Sequence, residues 1–351
     1  MLMTRREWVG ATVAAAFAGR MAMARDKAAA PVGQTMTTAA QRFLEAMPAA
    51  QKGKAMFAFD NEERFNWHFV PLNDVATKSS TREGVPLEDM SKEAQTAALD
   101  MMRAGMSEEG FKWAEAIRQR ENILAEFEPM NAWYRKPGWY FFTVYGKPAA
   151  TGRWGWRVEG HHLAVSYTVV DGEVVSTTPF FMGLNPVTIM QGAKKGERNV
   201  ITPCEDLGRA LFKSLDPDQQ KVALLAKHLP EVAGRTAHAP EDLPKGLSAS
   251  KMTAAQQKNL VALLAHYMGR MPAGLAKTET DRLTAAGIDR ISFVYTGEPE
   301  PGKRHTYAVQ GPTFLVHYLN EQNDCHKNPA NHIHSIYRSL KNDFGGVTPK
   351  A

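Results

Sequence analysis

The chain has 351 residues, 44% of them hydrophobic, 23% charged and 9% aromatic, with a formal net charge of +5. This is the composition of a globular protein, and it excludes collagen-like, coiled-coil and broadly disordered chains. Beyond the first thirty positions no run of about 18 apolar residues occurs, which argues against an integral membrane span. The small positive balance without a basic stripe argues against a nucleic-acid partner.

Residues 1–24 read as a cleavable signal peptide. Thr4-Arg5-Arg6-Glu7-Trp8-Val9 precedes an apolar run from 8 to 18, too short to span a bilayer, and Ala22-Met23-Ala24 supplies an A-x-A cleavage site. The paired arginines resemble a twin-arginine signal. The expectation is the twin-arginine export machinery as a partner and a periplasmic or secreted location. Residues 25–36, Ala-rich with Pro31 and Gly33, read as a linker.

An amphipathic helix is predicted over 36–52, where Phe43, Leu44 and Met47 share a face. Residues 55–70 place Phe57, Phe59, Phe65, Trp67 and Phe69 at odd positions, the period of one or two strands. Residues 86–127 read as helices capped by Ser91 and Ser107. Strands follow at 140–145, 154–158 and 162–170, and Asp171-Gly172 turns the chain into another at 173–181. Helices return at 203–232, a Pro- and Gly-punctuated loop fills 233–252, and helices follow at 253–269 and 278–286, the latter capped by Thr278 or Thr280. The last strands are 290–297, 305–310, 313–319 and 331–338. Strands and helices come in blocks, so the fold class is α+β, with antiparallel sheet packed against helices in a single domain over 37–346, before a tail at 347–351. No internal repeat is visible, and no phosphate-binding Gly-rich loop, HExxH or GxSxG motif occurs. Cys204 and Cys325 are compatible with a disulfide or with two free thiols.

The chemistry lies in the histidines. Of eleven, His161 and His162 are adjacent, and His317, His326, His332 and His334 fall near the C-terminus. On a strand, His332 and His334 point to one face, a spacing suited to a shared metal, while Ile333 points to the other with Tyr337. His162 is the first choice for a third ligand and His317 the next. Neutral imidazoles suit zinc, copper, iron or nickel, and three of them with an open position would be catalytic in type. His161, on the face of Leu163 and Val165, reads as a core histidine bonded to a backbone carbonyl. Glu159 is a candidate general base or partner to a ligand, and Arg338 and Asp343 are candidates for an ion pair framing the site, with Arg338 alternatively anchoring an anionic substrate group. Asn331 and Asn185 could orient ligands or substrate.

The segments Trp154-Gly155-Trp156-Arg157-Val158-Glu159-Gly160-His161-His162-Leu163 and Asn331-His332-Ile333-His334-Ser335-Ile336-Tyr337-Arg338, closed by Asn342-Asp343-Phe344-Gly345, resemble the DUF3500 family of bacterial proteins, often exported. The resemblance runs from about residue 38 to 346 and implies no settled activity. It carries over the Gly160–His162 and Asn331–His334 cores, and departs from the family pattern at His317, where an acidic residue is common, and in the extra segment 324–329.

Taken together, these features lead to the expectation of an exported metal-dependent enzyme, a hydrolase or oxidoreductase acting on a small molecule, with one transition-metal ion (copper, zinc or iron) on His162, His332, His334 and His317. The alternatives are a non-catalytic periplasmic protein that binds a metal or small ligand, and a structural domain whose histidines form a hydrogen-bond network.

Overall fold

Hydrophobic periodicity switches from helical to alternating twice along the chain, and the architecture follows those two switches. The computed structural model describes residues 31–199 and 201–346. Helices α1 (Val32–Glu45), α2 (Ala49–Ala55), α3 (Lys92–Ala104) and α4 (Glu108–Phe127) precede strands β1 (Phe141–Gly146), β2 (Arg153–Gly160), β3 (Leu163–Val170), β4 (Glu173–Ser176) and β5 (Phe180–Leu184). Helices α5 (Pro203–Ser214), α6 (Pro217–Ala223), α7 (Ala254–Met268) and α8 (Ala273–Ala286) precede β6 (Ser292–Gly297), β7 (His305–Gln310), β8 (Phe314–Gln322) and β9 (His332–Ser339). The caps read from sequence form: Ser91 accepts from the Ala94 N–H and Ser107 from the Gly110 N–H.

The long strands make one sheet in the order β1-β2-β3-β5-β9-β8-β7-β6, antiparallel throughout, so the two meanders meet at β5 and β9 in the middle. One face is covered by helices: Phe43, Met101, Ile117, Leu211, Leu260 and Leu283 share a core with Trp156, Val165, Phe180, Ile333 and Tyr307. The other face is covered by the two long connections 58–84 and 226–246, which seat Trp67, Phe69 and Val232 against Phe181 and Ile336, and Leu229 and Leu243 against Val294 and Leu315. Among the described residues no helix is long and apolar enough to cross a membrane.

The α+β class is as the sequence implies, but the absence of an internal repeat is corrected. Each half runs helix, helix, a two-residue strand, a long connection, a second two-residue strand, two helices and a meander. The equivalence holds at residue level. Met56 pairs in parallel with Val144 of β1 as Leu224 does with Tyr295 of β6, and Val85 pairs antiparallel with Phe142 as Leu247 does with Phe293. The sequence trace is thin: Phe142-Thr143-Val144-Tyr145-Gly146-Lys147-Pro148 matches Phe293-Val294-Tyr295-Thr296-Gly297-Glu298-Pro299, and Val165-Ser166-Tyr167 matches Val316-His317-Tyr318.

Several boundaries also move. Residues 31–36 begin at Pro31 and enter α1 rather than extending a linker; 1–30 and 347–351 lie outside the described residues. The stretch 55–70 gives only a strand at Met56–Phe57, then a 3-10 turn at Glu62–Phe65, because Phe65, Trp67 and Phe69 alternate to reach the sheet face rather than to join its ladder. The helices read over 203–232 are Pro203–Ser214 and Pro217–Ala223, so they end at Ala223 rather than at 232. Helix α8 starts at Ala273 behind Pro272, so Thr278 and Thr280 are not caps; their hydroxyls bond carbonyls four residues back. Cys204 is buried and Cys325 partly exposed, and both are free thiols.

Candidate metal centre

The site forms on the loop-covered face, where the starts of β3 and β9 meet the end of β5. Strand alternation aims His332 and His334 to this face and puts Ile333 and Tyr337 in the helical core. His162 lies in the turn between β2 and β3 at φ 63°, a left-handed conformation that side chains rarely adopt. Its N–H donates to the Phe69 carbonyl and its carbonyl accepts from the Gly183 N–H, both at 2.8 Å. A Cβ on Gly183 would stand 2.9 Å from His162 Cδ2, so the glycine leaves room for the imidazole to turn toward β9.

Nε2 of His162 lies 2.8 Å from Nε2 of His332 and 3.3 Å from Nε2 of His334. His334 Nδ1 donates to Glu231 Oε1 at 2.9 Å, which leaves the His334 Nε2 lone pair facing inward. The His332 ring is held by a backbone hydrogen bond to Asn323. One proton on His162 can point at one of its two neighbours; an ion serves all three nitrogens. A metal–nitrogen bond of about 2.0–2.1 Å places ligand nitrogens roughly 2.9 Å apart at a right angle and roughly 3.4 Å apart in a tetrahedron. The two separations from His162 fall close to these values, and the three ligand atoms lie within 4.8 Å of one another, so the residues fit a metal with a small inward turn of the His332 and His334 rings.

Electrostatics keep His162 and His332 neutral. Burial, reinforced by the neighbouring His161, His332 and His334, holds the His162 imidazole well below its ordinary range, and burial with His334 and His161 does the same to His332. Burial alone would raise the Glu231 carboxyl, but its bonds from His334 and the Val232 N–H hold it below the usual carboxylate value. Gln322 Nε2 donates to its other oxygen at 2.7 Å.

His162, His332 and His334 thus come together, as the sequence suggests. His317 does not join them. It pairs with Ile336 on β8, buried, with Nε2 unpartnered, and burial pushes it down to about 4. Glu159 is drawn elsewhere: Oε1 lies 3.4 Å from Arg82 Nη1 and 3.2 Å from Arg157 Nη2, and Oε2 accepts the His68 N–H at 2.8 Å. With its oxygens so committed, it anchors the 58–84 connection and has none to offer as a base. Arg338 and Asp343 do pair, at 2.6 Å, but four residues along β9 from His334, where Arg338 also donates to the Thr236 hydroxyl and carbonyl. All three arms of its guanidinium are occupied. Asn331 bonds Thr188 and Asp324, tying the 323–331 loop to the chain after β5. Asn185, which follows Leu184, is buried with Oδ1 unpartnered.

His161 is corrected from a core histidine on a carbonyl. Its ring stacks on His162 with centroids 3.8 Å apart, and Nδ1 lies 2.5 Å from Glu121 Oε1 and 3.1 Å from Arg135 Nη1. Sequence reasoning also missed Glu231, whose only signal is a carboxylate in the connection that mirrors 58–84.

No curated protein and no solved structure matches this chain. A model described as "Protein of unknown function (DUF3500)" matches residues 29–346, which contain both histidine segments and every element of the fold described above. The chain therefore belongs to the DUF3500 family.

Proposed function

We propose that this chain is an exported metal-dependent enzyme, a hydrolase or oxidoreductase of small molecules, holding one transition-metal ion on His162, His332 and His334. The convergence of three Nε2 atoms with separations of 2.8 and 3.3 Å carries the reading. Three protein ligands leave a coordination position for water or substrate, the catalytic pattern rather than the closed structural one. Export is supported by Arg5-Arg6, the short apolar run and Ala22-Met23-Ala24.

A bound ion would supply Lewis acidity or electron transfer. The chain's own residues hold and orient. Glu231 fixes the tautomer of His334. Phe69, edge-on at 5.0 Å from the His334 ring, and Phe181 exclude water on one side. The Glu121–His161 pair holds a proton against the outer face of His162. His332 is the least buried of the three ligands, so the open side lies toward it and the 323–331 loop.

Cobalt(II) substitution tests the open position. The expected result is a visible d–d spectrum, of four- or five-coordinate intensity, that azide shifts. A spectrum insensitive to azide would indicate a closed shell and a metal-carrying protein, and failure to bind cobalt, zinc or copper would overturn both readings.

A further inference from the structure

On the opposite face of β9, directly behind the histidines, lies a cation with no carboxylate partner among the described residues. Arg270, in the turn between α7 and α8, is 1% exposed. Its Nη2 donates to Ser335 Oγ at 3.2 Å, while Nε and Nη1 have no partner. The guanidinium lies over the Tyr267 ring at 4.2 Å. The other deeply buried arginines are compensated: Arg82 and Arg157 by Glu159, Arg120 by Glu197, Arg209 by Glu205 and Arg338 by Asp343. Arg64, also without a carboxylate, donates to Thr168 and to the Phe344 carbonyl.

Arg270 is not free to swing out. Its carbonyl accepts the Ser107 N–H at 3.0 Å and sits so close to Gly110 that a Cβ there would be 2.2 Å from it. The ionisable groups that feel its charge are Cys204 and Tyr267, and burial holds both neutral, the thiol pushed up to about 12. A second observation points the same way: the buried Tyr318 hydroxyl, in the same cluster, is also unpartnered. The Ser335 hydroxyl donates to that of Tyr267 at 3.1 Å, the Tyr267 and Tyr307 hydroxyls bond each other, and Tyr307 is committed to the Cys204 carbonyl. The unsatisfied atoms here thus include N–H and O–H donors around an uncompensated positive charge. A buried charge of this kind requires a partner.

We propose that the free Nε–H and Nη1–H of Arg270, with the Tyr318 hydroxyl, hold a small monatomic anion, chloride or bromide, in the core behind β9. The occupant donates no hydrogen bond and carries one negative charge, which matches the donors available. The inference is independent of the metal reading, since it concerns the opposite face of the sheet.

The test is thermal unfolding of the full chain in bromide against gluconate at fixed ionic strength, with crystals grown in bromide. Tm is expected to rise about 2 °C for each tenfold increase in bromide above its Kd, with an anomalous peak beside the Arg270 guanidinium. Arg270→Met should lose the dependence; if that variant does not fold, the anomalous peak in the wild type decides. Equal Tm in both salts with no peak at Arg270 overturns the proposal, as does a halide dependence that Arg270→Met retains.

Discussion

The two halves of the sheet are built alike, yet the imidazole cluster is not duplicated: His162 comes from the first half and His332 and His334 from the second, and the matched positions carry no imidazole. By register, Leu163 corresponds to Phe314, so His162 at the head of β3 corresponds to Thr313 at the head of β8. Across the middle of the sheet, Phe180 pairs with its own counterpart Tyr337, and the same offset sets Val175 and Thr177 against His332 and His334. Both halves keep the meander, the helices and the stacked aromatic pair, Trp156 on Tyr167 in one half and Tyr307 on Tyr318 in the other, whether or not a position carries an imidazole. The fold therefore does not require the imidazoles. Moreover, His162 occupies a left-handed position that glycine fills more cheaply, by about 1 kcal/mol or more. A strained, buried histidine kept where its counterpart is threonine is explained by a task beyond packing.

That contrast can be broken or sharpened by substitution. The largest effect is expected at Glu159, which belongs to the scaffold. Glu159→Gln strips the charge from Arg82 and Arg157 and should cost about 3–5 kcal/mol in denaturant unfolding, while the folded fraction retains its metal. Loss of metal from a stable Glu159→Gln protein would move the residue into the site. Glu231→Gln should do the reverse, weakening metal binding about 10–100-fold in chelator competition with little change in unfolding midpoint. An unchanged affinity would remove Glu231 from the account.

The smallest effect separates His317 from the ligands. Its folded pKa, about 4, lies below the unfolded value near 6.5. The unfolded chain therefore binds the proton first, and stability is lost as pH falls below about 6.5. Between pH 6.5 and 5 this group accounts for about 2 kcal/mol. His317→Leu should flatten the pH dependence of unfolding by that amount and keep the metal; a variant that loses metal would make His317 a ligand.

Much of this was legible in the sequence, and what was hidden has physical reasons. The His-x-His spacing fixes a shared face because strand alternation is strict, and Ser91 and Ser107 announce helix starts through their hydroxyls. The repeat was obscured because a shared backbone needs only a few shared residues, here Gly146 and Gly297 closing the first strand of each meander and Tyr167 and Tyr318 in the stacked pairs. Glu159 looked like a site residue by proximity, but Gly160-His161-His162 is a turn, and the side chains on either side of a turn need not share surroundings. Glu231 stands 103 residues from His334, and only the folding of 226–246 over the sheet brings them together.

The central claim is that His162, His332 and His334 hold an ion. It is tested most directly by metal content per chain, measured by inductively coupled plasma mass spectrometry on untagged protein. Wild type would be compared with a His332→Ala, His334→Ala double variant and with Thr313→Ala, the second-half position that matches His162. The account predicts about one ion per chain in the wild type and in Thr313→Ala, and none in the double variant. A folded wild type that holds no metal after reconstitution, or a double variant that keeps it, would contradict the account.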